Sequence, residues 1–474
     1  MRKLAYSISL LALAFLQEAC KKDLNALPEN SVVQQVLVTD AKTAEIALNG
    51  AYYSFANATA VKTNWQDHEV APAMLAGYLG YGFGQLPEEE NRNSSIYSSY
   101  YWDESYKVLN TVNGVLQSVS SVADNAFAGS RKNEIIGELH FLRAYAHFKL
   151  LSYYGEWFKL NSPYGVLLRT EATTKSNIAK ARSSVKDSYA FILSDLDDAI
   201  KNAPATNKNY YATKWAAMVL KMRVLMSKGE SADYSEVVNL ANTIIQNSPY
   251  ALEANVKDIF RSKGLASNEV ILGLKPQANQ ELDYYSRSAQ YWPGASSLYV
   301  AKKALKDLLG TDPRGTWLVG SASPYSAYSP DTYFFGKYIG EGETPTQVSE
   351  TYYAMRLSEV YLLKAEAIDR SGGSLSDAKA AVKEVMTHAG VTDFSAIDGA
   401  NTSKDLLLQI YYETVRSLVA EDGQEWMALL RLDFDTVKQI KPTITTQAQY
   451  ILPIPHSEFV YNPTIGDQNP GYNK

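Results

Sequence analysis

A run of apolar residues at helical spacing constrains the fold of this chain more than any other feature. Its members follow one another at intervals of four or three residues: Ile135, Leu139, Leu142, Ala146, Leu150 and Tyr153. Such spacing places them on one face of an α-helix, and Gly155 provides a natural end. The same spacing recurs at 217–227 and 354–368, and further helices are predicted at 41–56, 103–121, 183–202, 233–246, 375–388 and 403–421.

Each of these helices has to bury its apolar face against a neighbour. Because the predicted helices follow one another in the chain, the sequence predicts a mainly α-helical protein in which consecutive helices pack as pairs. Helix pairs of this length are typical of a tetratricopeptide-like stack, although the strict 34-residue repeat consensus is not visible.

Two long segments, at about 64–102 and 262–350, interrupt the helical pattern. They are rich in Gly, Pro, Ser and Tyr, as in "DYYSRSAQYWPGASSLY". Long loops in compact proteins carry function more often than the elements that they connect. We therefore predict a single domain over 41–474, in which a helical scaffold carries two irregular aromatic insertions.

The N-terminus has the features of a targeting signal. A charged start, "MRK", precedes an apolar run at 4–16, and the small residue Ala19 stands directly before Cys20, the only cysteine in the chain. The apolar run is shorter than the ~20 residues that a membrane-spanning helix needs. A single cysteine cannot form an intramolecular disulfide or a thiolate zinc site.

These features predict a lipoprotein signal peptide at 1–19, a lipid-modified Cys20, and an extended tether over 20–40. Several acyl chains are sufficient to anchor a protein to a membrane surface. Lipoprotein signals usually carry Leu three residues before the cysteine, where this chain has Gln17. The alternative is an ordinary secretory signal followed by an incidental thiol.

Composition narrows the classes of function. The net charge of -6 and the absence of a Lys/Arg cluster argue against nucleic acid as a partner. Five scattered histidines, without an H-E-x-x-H, G-x-S-x-G or P-loop motif, favour neither catalysis nor a bound metal. We therefore expect no enzyme activity, no cofactor and no metal site. The 34 tyrosines and seven tryptophans favour a binding surface, because an aromatic ring can stack on the apolar face of a sugar.

Three segments of the sequence match a known family. The segment "GELHFLRAYAHFKLLSYYG" at 137–155 resembles the GEA-x-FLRA…YG signature of SusD/RagB proteins. The segment "MRLSEVYLLKAEA" at 355–367 is similar to their RLAEVYLL-x-AEA helix, and "YILPIPHSEFVYNPTIGDQNPGY" at 450–472 is similar to their closing motif. The three occur in the family's order across nearly the whole mature chain.

This resemblance implies a lipid-anchored nutrient-binding protein on the surface of the outer membrane, with a tetratricopeptide-like scaffold and an irregular ligand-binding face. It also implies a partner, a SusC-like TonB-dependent transporter to which the captured oligosaccharide is delivered. Two alternatives stay open. The ligand is an oligopeptide, as in RagB-like members, or the protein is a helical glycoside hydrolase.

The charged residues of these motifs have a structural explanation. Charged residues on buried helices are rarely unpaired, so we expect ion pairs between neighbouring helices from Glu138, Arg143, Arg356, Glu359 and Glu366. The chain departs from the family pattern at Thr414, Glu425 and Ala428, where Arg, Arg and Asp are usual. We hypothesise that a buried charge network was lost there as a unit, since losing both partners of an ion pair can be neutral.

Ligand contacts are predicted in the two aromatic insertions. Rings there can stack on a sugar while polar groups bind its hydroxyls. The candidate rings are Trp65, Tyr81, Tyr285, Tyr291 and Trp292, with Tyr291 and Trp292 as the strongest pair. The candidate polar partners are Asp67 and Arg287. A wider set comprises Tyr78, Phe83, Asn91, Arg92, Asp283, Tyr284 and Trp317.

Overall fold

The computed structural model describes residues 38–57, 65–82, 90, 92, 101–275, 287–293, 297–323, 331–339 and 346–474. The predicted signal peptide, Cys20 and most of the tether lie outside the described residues. Within the described ranges, no helix combines the length and the apolar character that a membrane crossing requires.

The helices of the described residues dominate the fold. In chain order they are α1 (Ala41–Ala56), α2 (Trp65–Ala76), α3 (Tyr101–Ser121), α4 (Arg131–Tyr154), α5 (Val185–Asn202), α6 (Lys214–Lys228), α7 (Ser231–Asn247), α8 (Arg287–Tyr291), α9 (Lys303–Leu309), α10 (Gly315–Leu318), α11 (Leu357–Arg370), α12 (Leu375–His388), α13 (Ser395–Asp398), α14 (Ser403–Leu418), α15 (Gln424–Leu430), α16 (Phe434–Ile440) and α17 (His456–Tyr461). All nine helices predicted from the sequence are present, and their ends differ from the prediction by four residues or fewer.

Many of these helices begin at a polar residue whose side chain accepts a hydrogen bond from a backbone N–H of the first turn. This bond satisfies a donor that has no partner within the helix. The capping residues are Asp40, Ser184, Thr213, Ser374 and Thr402. The helix starts are therefore encoded locally, which explains why the sequence locates them well.

The long helices pack consecutively, α3 on α4, α4 on α5, and so on through α7, which packs on α11. A main apolar core runs through this stack, and a smaller second core fills the space between α11, α12 and α14. This arrangement confirms the mainly helical, tetratricopeptide-like fold.

Ion pairs join neighbouring helices at the N-terminal end of the stack, as predicted for the motif residues. Arg143 on α4 makes two hydrogen bonds, of 2.7 and 2.8 Å, to the carboxylate of Asp195 on α5. Glu138, also on α4, accepts a 2.7 Å bond from the hydroxyl of Tyr52 on α1 and pairs with Arg131 at 2.9 Å. These contacts fix α4 between its neighbours.

Charged residues of the second motif, at 355–367, also form ion pairs with neighbouring elements. Glu359 on α11 pairs with Arg223 on α6, with a 2.7 Å contact between Oε2 and Nη2. Glu366 lies about two turns further along α11. It accepts bonds of 2.6 and 2.9 Å from Arg431, which directly follows α15. The expectation of ion pairs between neighbouring helices is confirmed for Arg143 and Glu359, and Glu366 pairs with Arg431 just beyond α15. The ion pair of Glu138 is instead with Arg131 on its own helix, so Glu138 contacts its neighbour α1 through Tyr52.

The described residues also contain two small antiparallel sheets. Their strands are β1 (Leu79–Tyr81), β2 (Val270–Leu274), β3 (Tyr299–Lys302), β4 (Val319–Ala322), β5 (Thr332–Phe335) and β6 (Tyr352–Arg356). One sheet has the order β1-β3-β5-β4, and β2 pairs with β6 in the other. Five of the six strands lie in or beside the insertion at 262–350. The two sheets therefore join this insertion to the helical stack.

Two sequence expectations need correction here. The helical face predicted from Ala354 begins later, because residues up to Arg356 pair with β2 as strand β6, and α11 starts only at Leu357. Neither insertion is irregular throughout: α2 occupies the beginning of the first despite Pro72 within the helix, and the second contains β2 to β5 and the short helices α8 to α10. Pro72 has no backbone N–H to donate, and a proline at such a position argues against a helix. For this reason α2 was not predicted from the sequence.

The segment between α14 and α15 carries two buried carboxylates, Glu421 and Asp422, that are paired with cations of other elements. Arg356 donates bonds of 2.6 and 2.9 Å to Glu421 and also pairs with Glu269. Next to Glu421, the Asp422 carboxylate contacts Lys149 at 2.6 Å. The charged network is therefore present in this chain, although the three positions that depart from the family pattern contribute no cation to it.

Glu425 differs from its charged neighbours. It is fully buried, one carboxylate oxygen accepts a 3.3 Å bond from the Ala420 N–H, and the other has no hydrogen-bond partner among the residues that the structure describes. Burial raises its pKa to about 8, which Lys337 opposes only in part. Glu425 is therefore protonated in the folded protein at neutral pH.

We expect the Glu425→Gln variant to gain stability relative to wild type as the pH rises. In the wild type, the unfolded state ionises Glu425 near pH 4.5 whereas the folded state keeps its proton up to about pH 8. The group's contribution is present in full below the lower value and is lost between the two, at roughly 1.4 kcal/mol per pH unit. Urea denaturation of both proteins between pH 5 and 8 measures this difference.

The exposed Glu384 supplies the matched control, and Glu384→Gln should show no such trend. A difference between Glu425→Gln and wild type that stays constant over this pH range would mean that Glu425 is ionised in the folded protein.

Candidate ligand-binding site

Four of the predicted ligand-contact residues lie inside the protein. Trp65 is completely buried, and its indole N–H donates a 3.0 Å bond to the carbonyl of Phe55. Asp67, two residues later on α2, is 6% exposed. Tyr291 is completely buried, with rings of neighbouring strands packed around it. The prediction that these residues line a surface needs correction, because their side chains are buried inside the protein.

Arg287 is the fourth of these residues, and it acts as a buried clamp. Its guanidinium pairs with Glu69 on α2 through a 2.9 Å bond from Nε, and it lies 3.4 Å over the centre of the Tyr338 ring. Nη1 donates bonds of 2.8 and 2.6 Å to the carbonyls of Ser349 and Thr351. Every contact of this side chain is therefore to the protein itself, and the chain segment that leads into β6 is held by it.

The remaining candidate residues differ in their exposure, and some of them lie outside the described residues. Tyr81 and Trp292 are half-buried, and the Tyr81 ring lies 5.8 Å from that of Tyr299. Trp317 is half-buried and stacks on Phe260 at 5.7 Å. Tyr285 lies outside the described residues, as do Phe83, Asn91, Asp283 and Tyr284. Tyr78 is buried and hydrogen-bonded to Tyr411 at 2.7 Å, and Arg92 is half-buried. Tyr81 and Trp292 thus stay predictions.

An open cavity of about 590 Å³ lies elsewhere, next to the strand pair β2 and β6. We call it the Tyr210 pocket. Its volume falls within the range of ligand-binding sites, which is about 300 to 1,000 Å³. The residues that line it include Asn207, Lys208, Asn209, Tyr210, Tyr250, Lys263, Leu265, Asn268, Val270, Lys275, Gln347, Val348 and Thr351.

Four chain segments that are distant in sequence form this pocket, at 207–210, 249–250, 263–275 and 347–351, and hydrogen bonds to backbone groups hold them in place. The loop between α5 and α6 is attached through Asn209, whose side chain donates to the carbonyl of Leu265 and whose carbonyl accepts a 2.8 Å bond from Gly273. The segment at 347–351 is fixed by Thr351, whose carbonyl is bound by Arg287. The predicted residue Arg287 therefore supports the pocket wall from behind without reaching its interior.

The chemistry of the pocket suits a polar ligand with an apolar face. Tyr210 is half-buried and lies 4.8 Å from the Tyr211 ring, which leaves part of its surface open. Asn268 and Gln347 are exposed, and their amide side chains make no hydrogen bond with any described residue. Rings for stacking and amides for hydroxyl groups are the combination that sugar recognition requires.

Sequence reasoning missed this pocket because none of the predicted contact residues lines it, although more than half of its lining, at 263–275 and 347–348, belongs to the second insertion. The stretch "NKNYYATK" at 207–214 was a signal, since it places two rings, two amides and a cation in a short link between helices. It passed unnoticed because it is only a few residues long, and its neighbours at 263–275 and 347–351 are adjacent only in the folded protein.

A second open cavity, about 730 Å³ in volume, lies between α7, α11 and α12. Its described polar lining includes charges of both signs, Lys364, Asp377 and Glu384, and its one described ring is Tyr361. Charges of both signs partly cancel in such a groove, and a single ring provides less stacking surface. We therefore regard the Tyr210 pocket as the better candidate.

A rigid stack of paired helices that carries a ligand-sized pocket between its loops defines a tetratricopeptide-like binding protein. Comparison with known proteins narrows this class. A family model described as "Starch-binding associating with outer membrane" matches residues 21–226, and the model described as "SusD family" matches residues 283–432. The chain belongs to the SusD/RagB family.

Individual relatives agree. A SusD-like protein of Formosa agariphila, P2, is 21% identical over 98% of this chain and 99% of its own length. A SusD superfamily structure from Bacteroides thetaiotaomicron superposes with a TM-score of 0.75 at 22% identity, over 90% of this chain and 99% of that one. One from Parabacteroides distasonis gives 0.75 at 17% identity, over 91% and 99%. At these identities the structures establish the fold.

We expect Arg287→Met to destabilise the protein by about 3 to 5 kcal/mol, because it leaves the Glu69 carboxylate buried without its cation. The double variant Glu69→Leu/Arg287→Met should recover a large part of this loss, since both charges are then removed together. Urea denaturation of the three proteins measures the effect. A double variant that is no more stable than Arg287→Met would contradict the clamp role of this pair.

Proposed function

We propose that this protein is a cell-surface binding protein that captures oligosaccharides and delivers them to a SusC-like TonB-dependent transporter of the outer membrane. The observation that carries the proposal is the Tyr210 pocket, in which an accessible ring lies beside unpaired amides on a rigid scaffold. Membership of a family whose model is described as starch-binding and outer-membrane-associated supports the same function.

Binding without catalysis is favoured by the composition of the pocket. Glycosidases of the usual type need two carboxyl groups about 5 to 10 Å apart across the substrate. The described residues that line the Tyr210 pocket include no Asp or Glu. A ligand in this pocket is therefore held by rings, amides and ammonium groups, none of which supplies the acid and base of a glycosidase.

The proposal predicts that an oligosaccharide binds to the purified full-length protein in detergent and is recovered unchanged. Calorimetric titration with neutral and uronate-containing oligosaccharides and with mixed oligopeptides tests it. Tyr210→Ala should weaken glycan binding by about tenfold, because stacking on a ring contributes up to about 1.5 kcal/mol. Tyr461→Ala, which removes a ring that is 76% exposed and distant in sequence, should leave the affinity unchanged.

Each other outcome decides between the alternatives. Binding of oligopeptides alone would replace the glycan function with a peptide-binding one. Cleavage of any oligosaccharide would show that the protein is an enzyme. Glycan binding that Tyr210→Ala leaves intact would move the site to the other cavity or to the insertions.

Attachment to the membrane is proposed to depend on Cys20, because the preceding segment has the form of a lipoprotein signal. We expect the wild type to remain with the outer membrane after washing in high salt and to be released only by detergent. The Cys20→Ala variant should carry no acyl chains, and it should be recovered from the membranes without detergent. Mass spectrometry of the N-terminal peptide identifies the modification, and a free thiol on Cys20 in the mature wild type would contradict it.

A further inference from the structure

We infer that the Tyr210 pocket selects oligosaccharides that carry an anionic group, a uronate carboxylate or a sulfate ester, and that Lys208 and Lys275 bind this group beside the Tyr210 ring. The inference rests on the proposed glycan-binding function and specifies the class of its ligand.

The two ammonium groups are placed around one ring. Nζ of Lys208 lies 5.8 Å, and Nζ of Lys275 lies 5.7 Å, from the centre of the Tyr210 ring. Lys208 belongs to the loop between α5 and α6, whereas Lys275 directly follows β2. The fold therefore brings together two cations that are 67 residues apart in the sequence, on the same side chain that offers a stacking surface.

Neither of these cations has a carboxylate partner within the described part of the protein. The pocket is lined by three lysines and no described carboxylate. Lys263 pairs with Glu253, but neither Lys208 nor Lys275 forms an ion pair with a described residue. Both are exposed. The chain as a whole has 51 acidic and 45 basic residues, so the positive charge of this pocket is a local feature and attracts anions that the rest of the surface repels.

The rest of the lining distinguishes an acidic sugar from a small free anion. A cavity of about 590 Å³ is far larger than a single sulfate or carboxylate needs. Such a space accommodates sugar units, one with its C–H face on Tyr210 and with its hydroxyls directed to the amides of Asn268 and Gln347. Lysine binds anions as a point charge without fixed geometry, so carboxylate and sulfate substituents share this recognition, and experiment has to separate them.

The test is calorimetric titration of the full-length protein in detergent with three probes: trigalacturonate, its carboxyl-reduced neutral counterpart, and a sulfated disaccharide. We expect at least one acidic probe to bind more tightly than the neutral trisaccharide. We expect Lys208→Gln and Lys275→Gln each to weaken its binding by about fivefold, since an exposed charge pair contributes up to about 1 kcal/mol. Raising the salt to 0.5 M should weaken it in the wild type and have less effect in the double variant.

Lys257→Gln is the matched control, because Lys257 is an exposed lysine outside the pocket lining and its loss changes the net charge equally. It should bind like the wild type. Preference for the trigalacturonate or for the sulfated disaccharide identifies which anion the site takes.

Failure of this inference differs from failure of the proposed function. Binding of the neutral trisaccharide at equal or higher affinity would overturn the inference and leave glycan binding intact. An acidic probe whose affinity is unchanged in the Lys208→Gln/Lys275→Gln variant would overturn the assignment to this pocket. Absence of binding to either acidic probe would likewise overturn it, and binding of peptides alone would overturn both.

Discussion

The carboxylate of Asp422 is the contact on which the arrangement of the helical stack depends. It is fully buried, and it accepts a 2.6 Å hydrogen bond from the hydroxyl of Tyr145 while it pairs with Lys149 on the same helix and with Arg223 on α6. His68 on α2 lies 3.5 Å away, and burial lowers its pKa to about 4, so it contributes no positive charge. One anion thus joins three helices. Because two cations surround it, the pKa of Asp422 lies well below its usual range.

This contact demands an unusual backbone. Ala420 and Asp422 both have positive φ, at 60° and 54°, which is rare for residues other than glycine. Gly423 follows with φ at 77°, and a Cβ there would lie 2.5 Å from the hydroxyl of Tyr153 and 2.9 Å from Pro72. The strain is tolerated because the surrounding ion pairs determine the conformation. The tight turn between α14 and α15 in this way brings α2 and α4 close to the charged centre.

The charged centre also reaches the candidate site. Glu421, adjacent to Asp422, binds Arg356, and Arg356 pairs in turn with Glu269. Glu269 accepts a 3.0 Å bond from the backbone N–H of Glu253, whose side chain binds Lys263 at the edge of the Tyr210 pocket. A continuous chain of polar contacts therefore connects the interior to the pocket wall, and a second connection runs through Arg287 and Thr351. The pocket is built on fixed elements, which limits the entropy lost when a ligand binds.

Sequence reasoning predicted those features that local patterns encode. The apolar period of α4 is contained within about 20 residues, and each N-cap lies next to the helix that it starts, so neither depends on distant parts of the chain. The pairing of Glu359 and Arg223 could be expected as a type of contact, since a buried charge needs a partner, but the partner's identity depends on how α6 and α11 cross.

The candidate site was predicted less well for a physical reason. An aromatic residue in a Gly- and Ser-rich segment can cover a scaffold or contact a ligand, and composition does not separate these two roles. Trp65 packs against Phe55 and Tyr145 of the scaffold, whereas Tyr291 packs within its own insertion against Tyr299, Phe335 and Tyr338. Lys208 and Lys275 have no recognisable pattern in the sequence. They meet only because Asn209 bonds across to Leu265 and Gly273.

The contrast between the buried and the exposed charges is relevant to the proposed capture and release of a ligand. Buried pairs such as Arg356 with Glu421 are fully neutralised by one another, so they stabilise one arrangement of the chain and exert little attraction on a passing solute. The lysines of the Tyr210 pocket are exposed, and each contributes at most about 1 kcal/mol that salt partly screens. A ligand held by a few such contacts and one stacked ring dissociates quickly. Rapid dissociation is what delivery to a transporter requires, so the weakness of these exposed contacts fits the proposed function better than a deeply enclosed ion-binding site would.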